Sequence, residues 1–434
     1  LLRCKAGGAL QLRNYTIAKT TCIIRHEVRV KSVKLRCVPA AICILPSLTF
    51  ARSSIINMKR WIKRIFLSLL LVVALCCVLL WLTGNQHVFY GIGKTYFIGK
   101  SKPDIDDLPF FSVSTMTKGN PEPWLLSSSF NSGTLRLEHS EYLDSLETCA
   151  FLVFRNDSLL FEKYWRDYTD STMSNSFSMA KSFVGMLIGI AVDEGYIESL
   201  DQKVGDFLPE FSEGLNAKLT IRNLLQMSSG IPFGESYSSP FGFMAKAYYG
   251  KQLEEETMKF KVESEPGSMW IYEGGNSVLL GLILKKATGK TPSLYFQEKI
   301  WSCIGAEHNA HWNLDHEGGL EKTFSGFYAT ARDYARIGKL FEHDGVWNAD
   351  TLIQPGFVEE ALTPCYIPDP KGEKCFWYGY HWWLGTHNDD FFFSCRGLRG
   401  QYIAVIPSQK IIVVRLGHNH SSTTNNRVSE DLRL

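Results

Sequence analysis

Asn175-Ser176-Phe177-Ser178-Met179-Ala180-Lys181-Ser182-Phe183-Val184-Gly185-Met186-Leu187 is the stretch on which the reading of this chain turns. Cap-type polar residues run into an apolar segment of helical length, which predicts Ser178 at or near a helix N-terminus. Lys181 follows by three residues and so projects from the same helix face. That pairing has a chemical use. A Ser hydroxyl is a weak nucleophile and needs a base within hydrogen-bond reach. A Lys serves as that base only when burial or a neighbouring cation favours its neutral form. Backbone N–H groups at the helix start can also hold negative charge developing on a substrate oxygen. Ser-x-x-Lys by itself is weak, because about one or two matches arise by chance in a chain of this length.

Working outward, Cys149 to Phe154 and Leu159 to Trp165 are two β-rich runs around Asn156-Asp157, a hairpin pattern. After the Ser178 helix, Ala191 to Ile197 reads as a helix end closed by Gly195, and Leu219 to Gly230 as a capped helix. Leu253 to Lys261 reads as a polar helix. Pro266 to Ser277 is a Gly-rich turn that delivers Tyr272 just before the apolar run Val278 to Leu284. Gln401 to Ile406 and Ile411 to Leu416 form a second hairpin. Strands at both ends with helices between them predict an α/β sandwich whose terminal strands share one antiparallel sheet. Asp333 is expected to cap the helix Tyr334 to Phe341. Trp377, Tyr378, Tyr380, Trp382 and Trp383 either line an apolar cleft or, as aromatic density before a strand more often does, pack in the core.

The 434 residues are 45% hydrophobic and 21% charged, with a net charge of +2. This is globular composition, and the near-neutral balance gives no reason to expect nucleic acid as a partner. The eleven Cys lack Cys-x-x-Cys pairs and zinc-type spacing, and His308, His311 and His316 with Asp315 are irregularly spaced. No metal site and no cofactor is expected.

Residues 1–57 are basic, with Glu27 the only acid. Met58-Lys59-Arg60-Trp61-Ile62-Lys63-Arg64 then precedes an apolar run from Ile65 to Leu82. We read 1–57 as translated upstream sequence, or as a basic membrane-associated extension. Residues 58–83 read as an uncleaved signal anchor, placing everything after Leu82 outside the cytoplasmic membrane, facing the periplasm or exterior. Pro and Asp breaks make 84–131 an irregular spacer along the domain surface, with the folded domain at 132–434.

The ordered blocks from about residue 148 to 420 resemble the serine β-lactamase and penicillin-binding-protein superfamily. The likeness is greatest to its hydrolase branch of class C β-lactamases, esterases and aminohexanoate-oligomer hydrolases. The blocks are Ser178 to Lys181, Leu200 to Pro209, Thr220 to Gly230, Pro266 to Gly281, Gly326 to Asp333, and Gly397 to Pro407. Any one is weak; their order and spacing carry the likeness. It implies a five-stranded antiparallel sheet flanked by helices beside an all-helical subdomain, with the active site between them. It implies Ser178 as nucleophile, Lys181 and Tyr272 as proton carriers, and an oxyanion hole from the N–H of Ser178 and one after Gly397. Two departures bear on substrate. Tyr272-Glu273-Gly274 stands where the family has Tyr-x-Asn, and Ser394-Cys395-Arg396-Gly397 stands where β-lactamases have Lys-Thr-Gly. Arg396 is then the candidate for a substrate carboxylate, or a solvent-facing Arg. The expected activity is cleavage of a small-molecule or peptide-like ester or amide by a membrane-anchored serine hydrolase. A penicillin-recognising enzyme and a non-catalytic sensor of the same fold are the alternatives.

Overall fold

The computed structural model describes residues 48–100, 102–425, 428, 429 and 432. Residues 1–47, most of the segment expected to be an upstream extension, lie outside the described residues. Helix α1 (Leu48–Leu82) runs unbroken through Met58, so the composition break there leaves no mark on the backbone. From Met58 to Leu82 its mean hydropathy is 3.1 and none of its most apolar stretch is buried. By contacts the chain divides into residues 1–71 and 72–434; the rest of this description concerns the second unit.

Residues 84–131 are more ordered than the spacer expected. Helix α2 (His87–Lys94) opens the segment, and Val113–Met116 forms a strand paired with Ala310–Asn313. The prolines do fragment the segment, but Ile105 and Met116 are fully buried in the main core. Phe111, Trp124 and Phe130 pack against the same core, so the segment is seated at several apolar points.

The main sheet has seven strands, not five. In chain order they are β1 (Leu125–Leu126), β2 (Thr148–Arg155), β3 (Ser158–Tyr164), β4 (Trp383–His387), β5 (Asp390–Gly397), β6 (Gln401–Ile406) and β7 (Ile411–Gly417). Their spatial order is β4-β5-β6-β7-β2-β3-β1. Every pairing is antiparallel except the two-residue β1 edge, which runs parallel to β3. Both expected hairpins form. Asn156 and Asp157 take positive φ (49° and 59°), the geometry of a tight two-residue turn. Asn388 and Asp389 do the same (49° and 68°), and this second polar turn adds β4 as an extra antiparallel strand. As expected, the terminal strands meet: β7 pairs with β2, Val413 opposite Val153.

Helix α3 (Met179–Asp193) is buried from Met179 to Ala191, as an all-round apolar helix must be. It packs against α5 (Gly274–Thr288), which is buried from Gly274 to Leu284. Between them in sequence, α4 (Phe243–Tyr249) lies against α2. Helix α6 (Ala331–Glu342) covers the sheet, Gly338 allowing close approach to Ile403, Val405 and Ile412. Its cap is Thr330, whose hydroxyl accepts from the Asp333 N–H, and not Asp333 as expected. Asp333 is fully buried and spent elsewhere, accepting from the N–H groups of Glu307 and His308 and from Arg336. The helix read at Leu219 to Gly230 shortens to Ile221–Leu225, with a Thr220–Asn223 capping box. The polar helix ends at Met258.

Candidate active site

The turn before α3 is held by two hydrogen bonds. The Ser176 N–H donates to the Phe327 carbonyl at 2.7 Å, and the Asn175 side chain accepts from the Phe177 N–H at 2.9 Å. Phe177 itself has φ +45°, an uncommon conformation for a bulky residue and the kind that clusters at functional sites. The turn delivers Ser178 to the N-cap position of α3, where its hydroxyl makes no capping bond. Lys181 Nζ donates to Ser178 Oγ at 2.9 Å and to the Phe324 carbonyl at 3.0 Å. Lys181 is 1% exposed. Tyr272 faces the same amine, its ring centroid 5.0 Å from Lys181 Nζ. The three residues expected to carry the chemistry therefore share one site.

An aromatic shelf holds Tyr272. Its ring meets Tyr378 at 6.0 Å and Trp383 at 5.5 Å, beside a buried cluster of Met227, Trp270, Cys375 and Tyr378. The aromatics from 377 to 383 are thus packing residues, and part of what they support is Tyr272. Arg396 stacks on the same shelf. Its guanidinium lies 5.0 Å over Trp383, and its Nε donates to Ser394 Oγ at 3.0 Å. Gly397 sits against the turn before α3, where a Cβ would fall 2.1 Å from the Ser176 carbonyl oxygen.

A cavity of about 350 Å³ opens over Ser178. Its walls are largely apolar, with Phe177, Met244, Tyr249, Phe324 and Leu398 among them; Arg396 is not one of the lining residues. At Gly274 the space an Asn side chain would enter is filled, since a Cβ would meet Glu235 Oε2 at 3.1 Å and Met244 Sδ at 3.2 Å. Glu235 is tied there by the Gly274 N–H at 2.6 Å.

Sequence reasoning missed two residues here. Tyr237 has a half-exposed ring whose hydroxyl end is tucked into the site, donating to Glu235 and within hydrogen-bonding reach of Ser178. Burial of that end, with the Glu235 carboxylate beside it, pushes the phenol pKa up and keeps it protonated. No periodicity marks a Tyr in a loop, so only its company of Gly234, Glu235 and Ser236 could have drawn notice. His381 is buried between two helices, its Nε2 3.0 Å from Ser277 Oγ and its carbonyl accepting from Ser182 at 2.6 Å. Burial first, then the Lys181 charge, lowers its pKa to about 3, so the imidazole is neutral. Glu273, next to Tyr272, is raised to about 7, chiefly by burial. His308, His311 and His316 do not gather. They contact Asp333, Thr115 and Asp315 respectively.

The Beta-lactamase family profile matches residues 140–433. The 6-aminohexanoate-dimer hydrolase of Paenarthrobacter ureafaciens is 25% identical over 299 residues, covering 62% of this chain and 73% of that protein. A Bacillus anthracis structure, provisionally assigned as a 6-aminohexanoate-dimer hydrolase, superposes with a TM-score of 0.60 at 23% identity. It covers 74% of this chain and 89% of its own. A family VIII carboxylesterase superposes with a TM-score of 0.54 at 17% identity, over 70% and 96% of the two chains. A chain with this fold, this profile and a Ser bonded to a buried Lys over a cavity belongs to the β-lactamase family and is a serine hydrolase.

Proposed function

We propose that this protein is a membrane-anchored hydrolase that cleaves carboxylic esters, and less readily amides, through an acyl-enzyme on Ser178. The observation that carries the reading is the 2.9 Å bond between Lys181 Nζ and Ser178 Oγ at the floor of an apolar cavity. Lys181 takes the hydroxyl proton as Ser178 Oγ bonds to the carbonyl carbon. The N–H of Ser178 and one from the turn after Gly397 hold the oxyanion. As the intermediate collapses, the bond to the leaving oxygen breaks, and the proton returns from Lys181 by way of Tyr272 to the departing alcohol. Water then repeats the sequence and releases the acid. Tyr237 helps hold the Ser178 hydroxyl in line. Arg396, stacked on Trp383 next to Tyr272, is the candidate for a carboxylate on a substrate that reaches beyond the cavity walls.

Gly274 and the missing Lys-Thr-Gly bear on the penicillin-recognising alternative. With Glu235 filling the space of the family's Asn, an acyl-amide group meets a carboxylate in place of an amide donor. A β-lactam should therefore be held poorly. The test is kcat/KM for a short p-nitrophenyl ester and for a cephalosporin on one preparation. Ester turnover with little cephalosporin turnover is expected; the reverse would overturn the assignment. The anchor reading rests on Met58–Leu82 and its basic flank.

A further inference from the structure

The chain between the apolar helix and the active site is short and tightly built. Helix α1 ends in hydrogen-bonded turns, Thr83 N–H to the Leu79 carbonyl and Asn85 N–H to the Leu80 carbonyl. Two residues later α2 begins, so its start lies within about 18 Å of Leu82 by chain length alone. Helix α2 does not dangle. His87 Nε2 is 2.7 Å from the Pro240 carbonyl, and Gly91 lies against the Tyr249 ring. Tyr249 is a wall of the cavity over Ser178. Helix α2 is therefore packed on the cavity wall.

The same short stretch carries an unusual surface. Phe97 is 83% exposed and Tyr96 67%, with Ile98 exposed beside them. Ile98 precedes Lys102 by four residues, within about 14 Å, and Lys102 and Pro103 line the cavity. A second segment repeats the arrangement. Tyr237 lines the cavity, and exposed Phe241 follows Pro240, the residue that α2 grips. Exposed aromatics beside cations suit the boundary between headgroups and acyl chains. The cations are Lys102 and Lys251, the latter 4.5 Å over the Tyr90 ring.

We infer that Tyr96, Phe97 and Ile98 seat in the lipid interface beside the end of α1, and that the cavity takes its substrate from the bilayer, an ester or amide bearing a long apolar chain. The inference rests on the anchored-hydrolase reading and names its substrate class. The apolar chain would lie against Met244, Tyr249 and Leu398, with its carbonyl at Ser178. Hydrolysis leaves the acid and the alcohol or amine, with one water consumed.

The test uses the full chain in vesicles of phosphatidylethanolamine and phosphatidylglycerol. A benzoylphenylalanine photo-crosslinker placed at Phe97 should yield lipid adducts, and one placed at exposed Tyr196 should not. Absence of adducts at position 97, or equal yields at both, would overturn the inference. In the same vesicles, the Phe97→Ser/Ile98→Ser variant should lose roughly tenfold in kcat/KM for embedded p-nitrophenyl dodecanoate. Its turnover of soluble p-nitrophenyl acetate should be unchanged. No loss, or equal loss on both esters, would refute the bilayer route. Wild-type protein inert toward both esters would sink the hydrolase reading and the substrate route with it. Acetate turnover without adducts at position 97 would overturn this inference alone.

Discussion

Ser178 stands at a helix start yet does no capping, because its hydroxyl is bonded by Lys181. An N-cap Ser would cost on the order of 1 kcal/mol when removed. Here Ser178→Ala should change unfolding free energy by no more than about 0.5 kcal/mol while turnover disappears. A larger loss on a denaturant titration would mean that the hydroxyl supports the fold. Tyr272 is tested by removing only its hydroxyl. Tyr272→Phe keeps the ring on its aromatic shelf and should lower ester kcat by about two orders of magnitude or more. An unchanged kcat would remove Tyr272 from the proton path. His381 gives a pH prediction. Its pKa falls from the ordinary 6.5 to about 3, so between those values the unfolded chain binds more protons than the folded one. The stability it contributes is complete above about pH 6.5 and is lost progressively as pH falls toward 3. His381→Gln should flatten that part of the Tm–pH curve; an unaltered slope would contradict the assignment.

Strand β5 ends against the turn that carries Ser178, and Gly397 is the point of contact. A Cβ there meets backbone, not the end of a flexible side chain, so the neighbours cannot simply step aside. Gly397→Ala should cost about 1–3 kcal/mol of stability and lower kcat/KM more than KM alone explains. Wild-type kinetics in that variant would mean that β5 and the turn do not depend on this approach. Elements also show what was legible. The two hairpins were readable because Asn156-Asp157 and the alternating β-branched runs are local signals. The α3 start was readable because cap-type residues meet an apolar run. Strand β4 was missed because Trp383 to His387 looks like packing until Asn388-Asp389 turns it back onto β5. The cap of α6 went to Thr330 because Asp333 is drawn into a buried network with Arg336, which only tertiary contact reveals. Ser178, Lys181 and Tyr272 were legible by type and order, whereas Tyr237 and His381 enter the site through long-range folding of loops without any pattern.

At the scale of the molecule, a buried α/β domain follows one long apolar helix whose side chains are exposed to the surroundings. If that helix anchors the protein, alkaline carbonate should leave the full chain in the membrane pellet, and release to the supernatant would count against it. A C-terminal alkaline phosphatase fusion should be active, since the basic residues Lys59 to Arg64 favour an outward-facing domain. We propose that this fold presents Ser178 as a nucleophile. The most direct measurement is intact-mass spectrometry after exposure to a fluorophosphonate, followed by peptide mapping of the adduct. We expect one adduct per chain, on Ser178, absent in Ser178→Ala and strongly slowed in Lys181→Met. An adduct on another residue, or one that persists in Ser178→Ala, would contradict the account.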